Sequence, residues 1–199
     1  MNDLTKYESI KGGMKTGDCL LWASSSCLGW LIRKFSKATV NHASLVVRPP
    51  DYQGLKDRRF QLEALENGIV LRTLSTRLKE FKGQVWWLPL KDIYRAEPTL
   101  DRIGSWAFLQ VGSKYDYNSL FKQAIGRVSA DARKFFCSEF WFLACQQAGV
   151  PLTGKAPRPG DIPKYDVFAR SVKILERPVK THVEEDISDI EPPGTTIGF

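Results

Sequence analysis

Residues 135–149, Phe-Phe-Cys-Ser-Glu-Phe-Trp-Phe-Leu-Ala-Cys-Gln-Gln-Ala-Gly, constrain this chain more than any other stretch. Beyond Cys137 the apolar residues Phe140, Trp141, Ala144, Cys145 and Ala148 recur at helical spacing. Gly149, Val150 and Pro151 then stop the helix. Asp131, Ala132 and Arg133 precede the run, which predicts a thiol at or near the first turn of a buried helix. Free backbone N–H groups and the positive dipole end favour an anion there, and a thiolate is one. Cys145, two turns deeper beside Leu143 and Ala144, reads as packing. Cys137 is therefore the candidate nucleophile.

The 199 residues are 43% apolar, enough for one globular domain with a full core. No apolar run reaches the length of a membrane span, and the polar N-terminus lacks the apolar stretch of a signal peptide. The expected location is the cytoplasm. The four cysteines, Cys19, Cys27, Cys137 and Cys145, have no C-x-x-C spacing. With two histidines they offer neither a disulfide framework nor a metal cluster, and no cofactor is expected. Net charge is +7, unevenly spread: residues 181–199 hold five carboxylates and no Lys or Arg, leaving 29 cations against 17 carboxylates, +12, in residues 1–180. Such a body attracts anionic polymers or membrane surfaces weakly, but no basic run or motif points to specific nucleic-acid binding.

In order, residues 1–13 read as a lead-in. A turn at Gly17-Asp18 enters the apolar strand 19–22, and 27–35 reads as a short helix with Trp30, Leu31 and Phe35 on its buried face. Strands are expected at 42–48, 60–66, 69–74 and 84–90. The second of these is compositionally ambiguous but short, and it runs into an Asn67-Gly68 turn. Their close succession predicts an antiparallel meander. Helices follow, opening at Pro98, over 119–128, and over the Cys137 stretch. Residues 165–175 add a last short element. From 177 the composition is that of a disordered acidic tail.

A thiol nucleophile needs a base. His182 lies in the tail, so His42, at the start of a predicted strand, is the histidine available to the folded body. A third polar group usually orients a catalytic imidazole. In the 60–66 strand Gln61, Glu63 and Leu65 share one face, Leu62 and Ala64 the other. Glu63, between two apolar residues, is the most surprising charge; Gln61 is a weaker candidate, and Glu66 an ordinary turn carboxylate.

Five short motifs in order, Gly-Asp with its strand (17–22), His-Ala-Ser-Leu-Val-Val (42–47), Leu-Glu-Ala (62–64), Gly-Ser-Lys-Tyr-Asp (112–116) and Phe-Cys-Ser-Glu-Phe (136–140), resemble the circularly permuted papain-like enzymes of the NlpC-type superfamily, in particular the YiiX/YebB-like group. The likeness spans roughly 14–170, with the histidine strand before the cysteine helix. It implies an α+β fold, a small antiparallel sheet packed against helices, in a catalytic domain of residues 14–176. It also implies Cys137 as nucleophile, His42 as base, Glu63 as orienting residue and Tyr115 as a substrate or oxyanion contact. The expected function is a cysteine-dependent hydrolase, amidase, peptidase or esterase, working through an acyl-enzyme. Its substrate would be a small peptide, an amino-acid amide or a lipid-like acyl compound, and the Cys137 N–H would assist the oxyanion. The alternatives are a thiol acyltransferase of the lecithin–retinol type, a non-catalytic lipid- or peptide-binding module, and a basic surface protein anchored by Trp86-Trp87.

Overall fold

A computed structural model describes residues 4–24, 39–49, 54–55, 57–65, 68–112 and 132–177, with the side chains of 132–136 left aside. The strands are β1 (Cys19–Ser24), β2 (His42–Val47), β3 (Phe60–Leu65), β4 (Gly68–Thr73), β5 (Gly83–Leu88) and β6 (Val172–Glu176). They form one sheet in the order β4-β3-β2-β1-β5-β6, with every neighbouring pair antiparallel. The helices are α1 (Thr5–Ile10), α2 (Leu74–Glu80), α3 (Glu97–Leu109) and α4 (Ala132–Gln147).

Both faces of the sheet are covered, which is why β1 is apolar without alternation. Leu21, Ala43, Leu45 and Leu62 pack under Phe140, Trp141 and Ala144 of α4 and Ile103 and Ala107 of α3. On the other face Leu20, Trp22, Val46, Val85 and Trp87 meet Leu4 and Tyr7 around α1 and Leu74 and Leu78 of α2. The α+β sheet-and-helix architecture is as expected.

Three details differ from the sequence reading. The meander holds for β2, β3 and β4, but β5 pairs with β1 instead of β4. Helix α2, between β4 and β5, lets the chain cross to the far side of the sheet. Residues 4–13 are not a loose lead-in: they form α1 and a 3₁₀ turn, with Leu4 and Tyr7 each only 2% exposed. Trp87 is buried, donating its Nε1–H to Asp18 Oδ2 at 2.9 Å, while Trp86 lies under the Lys173 ammonium, so the two are no surface anchor. The helices expected at 27–35 and 119–128, and the acidic tail, lie outside the described residues.

The Gly17-Asp18 turn ties the layers together. Gly17 has φ +93°, and a Cβ there would stand 2.7 Å from Ile103 Cδ1, so only glycine fits without strain. Its carbonyl accepts the Trp141 Nε1–H of α4 at 3.0 Å and the Cys145 thiol at 3.9 Å. The buried Asp18 carboxylate takes N–H bonds from Lys15, Trp87, Leu90 and Arg95 at 2.8–3.0 Å. α4 is thereby held at a set height over β1 and β2.

Candidate active site

His42 opens β2, where Asn41 closes the ladder. Asn41 N–H bonds Trp22 O and its Oδ1 takes the Ser24 N–H, each at 2.9 Å. The β2–β3 register pairs Leu45, Val46 and Val47 with Leu62, Gln61 and Phe60. Ala43 lies beyond those pairs, and its N–H is directed to Cys137 Sγ. At this end of the sheet the thiol from the α4 layer and the carboxylate from the opposite layer reach the same imidazole.

His42 Nε2 stands 3.0 Å from Glu63 Oε2. Its ring also hydrogen-bonds the Cys137 thiol, and with Nε2 on the carboxylate the nitrogen left for sulfur is Nδ1. Cys137 is 4% exposed and the His42 side chain 19%. Burial alone would push the imidazole down. The Cys137 thiolate and the Glu63 carboxylate outweigh it and raise His42 to about 10. Burial likewise opposes the thiolate, but the His42 cation and the N–H groups of Ala43 and Ser138 hold Cys137 below its ordinary value. The two shifts favour one state, a thiolate beside an imidazolium. Cys19 and Cys145 move the other way, both pushed up by burial. Cys145 is a packing residue.

The cause of the thiol's shift differs from the expectation. α4 begins at Ala132, so Cys137 is its sixth residue and lies past the first four unpaired N–H groups. The neighbouring His42 and Ala43 do the work assigned to the helix start. By the same count the Cys137 N–H stands beyond the first four unpaired donors of the helix. Ser138 anchors the turn through Oγ–H to Pro157 O at 2.6 Å.

Glu63 is fully buried. Gln61 Nε2 donates to its Oε1 at 2.6 Å, and Arg77 Nε and Nη2 reach Oε1 and Oε2 at 3.1 and 3.5 Å. Burial pushes the carboxyl up, yet His42 and Arg77 together hold it below its ordinary value, as an anion. Ser44 Oγ–H donates to Gln61 Oε1 and Trp22 Nε1–H to Ser44 Oγ, each at 2.8 Å. This chain orients the Gln61 amide so that its NH₂ faces Glu63. The structure thus brings Cys137, His42 and Glu63 together, with Gln61 as a support beside Glu63. Tyr115 and Glu66 lie outside the described residues. Arg77 was missed by sequence reasoning. Its signal was the helical spacing of Leu74, Leu78 and Phe81, which would have placed a cation on a packed helix.

The sequence matches no protein-family model and no curated protein. Among solved structures the fold is similar to that of metalloprotein yiiX from Escherichia coli O157:H7, with a TM-score of 0.51 at 14% identity, covering 82% of this chain and 98% of that one. The fold is YiiX-like. In this chain the imidazole stands between sulfur and carboxylate, so the three do not converge on one point. Both Glu63 oxygens already carry N–H donors, and no group of three or more His, Cys, Asp or Glu placed to hold a metal occurs among the described residues. These residues do not fit a metal site. No described helix is long and apolar enough to cross a membrane.

Proposed function

We propose that this chain is a cysteine-dependent hydrolase of amide or ester bonds, built on a circularly permuted papain-like fold of the NlpC type. The observation that carries the reading is the line Cys137–His42–Glu63, with an anionic carboxylate on Nε2 and a thiol on the other ring nitrogen. The Cys137 thiolate attacks the substrate carbonyl carbon, forming the C–S bond and moving the carbonyl π pair to oxygen. As that pair returns, the C–N or C–O bond breaks and the imidazolium gives its Nδ1 proton to the leaving group. The acyl-enzyme remains. Neutral His42 then takes a proton from water, the hydroxide adds to the thioester carbon, and the thiolate leaves. Glu63 keeps Nε2 protonated throughout, fixing the tautomer and supporting the imidazolium.

The test is a panel of acyl esters and amides read by mass, with limiting iodoacetamide near pH 6 in parallel. The expected result is an acyl adduct on Cys137, alkylation of Cys137 ahead of Cys19, Cys27 and Cys145, and labelling slowed tenfold or more in His42→Ala. Labelling of none of the four before unfolding would overturn the reading.

A further inference from the structure

We propose that Arg77 is a positioning residue that sets the pH range in which the Cys137–His42 pair is armed, by sharing the Glu63 carboxylate with the imidazolium. The inference rests on the cysteine-hydrolase reading. Two cations meet one buried anion: His42 Nε2 on Oε2 at 3.0 Å, and Arg77 on Oε1 and Oε2 at 3.1 and 3.5 Å. Arg77 is itself held in place, its guanidinium carbon 5.4 Å from the Trp22 ring centroid and 5.3 Å from that of Phe81, with those two rings edge to face. A flat cation seated over these two rings presents a fixed fork to the carboxylate.

The consequence follows from what a fully buried carboxylate does when deprived of a cation. Without Arg77, burial acts on Glu63 against His42 alone, and the carboxyl takes up a proton at higher pH. A protonated Glu63 no longer supports the imidazolium, and an unsupported imidazolium no longer holds the Cys137 thiolate. Arg77 therefore keeps the acid edge of thiolate formation low. The other groups near the three, among the described residues, do not substitute for it. Cys19 of β1 is kept neutral by burial. Arg72 of β4 stands opposite Gln61 but is exposed. Glu139 of α4 is half-buried and its carboxyl is pushed up by burial.

The experiment is the pH profile of Cys137 alkylation by iodoacetamide, pH 4 to 8, read by mass in the full chain. In Arg77→Met the acid edge is expected to move up by about one pH unit, so that labelling at the foot of the wild-type profile falls about tenfold. Arg77→Lys, which keeps the charge, should stay within a few tenths of wild type. In a Glu63→Gln background Arg77→Met should move the edge no further. A role in packing alone would lower the rate evenly without moving the edge, and that result overturns the inference. If Arg77→Met fails to fold, Arg77→Gln, a donor without charge, is read the same way. A wild type whose Cys137 shows no acid edge overturns the hydrolase reading and this inference with it. A normal wild-type edge that Arg77→Met leaves unmoved overturns this inference alone.

Discussion

Cys137 and His42 exchange one proton between them, and this shapes how stability depends on pH. The raised His42 contributes stability that is full below its ordinary value of 6.5 and is lost as pH rises through about 10. The lowered Cys137 contributes stability that is full above its ordinary value of 9.0 and is lost as pH falls through its folded value. Between pH 6.5 and 9 the unfolded pair holds one proton on sulfur and the folded pair one proton on the ring. Equal proton counts give no slope. The stability difference between wild type and a His42→Ala/Cys137→Ala variant, from denaturant titrations, should therefore be flat from about pH 6.5 to 9. It should shrink below that range, and above it by about 1 kcal/mol toward pH 10. A steady slope across the window would mean that the two groups titrate independently.

Among the elements, α4 owes its placement to the turn before β1. Gly17 donates no side chain, yet its carbonyl receives Trp141 and Cys145, and its φ of +93° admits no other residue without strain. Gly17→Ala is expected to cost about 1–3 kcal/mol in a thermal or denaturant melt, from backbone strain and the 2.7 Å and 3.1 Å approaches to Ile103 and Leu90. It should also slow Cys137 labelling, because α4 carries the sulfur. Unchanged labelling with lowered stability would show that α4 holds its height without this anchor. Helix α2 plays the matching part on the other face. Leu74 and Leu78 are fully buried and bring Arg77 under β3.

At the scale of the whole molecule, the sheet is sealed on its second face partly by the first residues of the chain. Leu4 and Tyr7 are buried there, and Arg59 ties the same segment down with bonds to Met14 O at 3.0 Å and Gly12 O at 3.3 Å. A chain beginning at Met14 should lose about 3–5 kcal/mol, since each large side chain withdrawn from the core is worth about 1.5–3 kcal/mol. Its melting temperature should fall by several degrees. An unchanged melt would mean that residues 1–13 are dispensable to the second face.

Some of this was legible in the residues alone. The strands expected at 42–48, 60–66 and 69–74 are found, within a residue at each end, at His42–Val47, Phe60–Leu65 and Gly68–Thr73, and the burial of Phe140, Trp141, Ala144, Cys145 and Ala148 follows from the helical period, because short apolar runs, turn chemistry and helical spacing are local properties of the chain. The singling out of Glu63 came from its apolar neighbours, Leu62 and Ala64. What local pattern did not contain was the meeting of distant groups. The crossing of β5 to β1 depends on which open edge α2 can span. The drop in the Cys137 pKa comes from His42 and Ala43, ninety-odd residues away, and not from the helix start, a difference that backbone periodicity near Cys137 does not encode. Arg77 shares Glu63 with His42 because three elements converge on one buried carboxylate. Charge–charge energies in a buried site depend on separations of a few ångströms, and those separations exist only once the tertiary structure has formed.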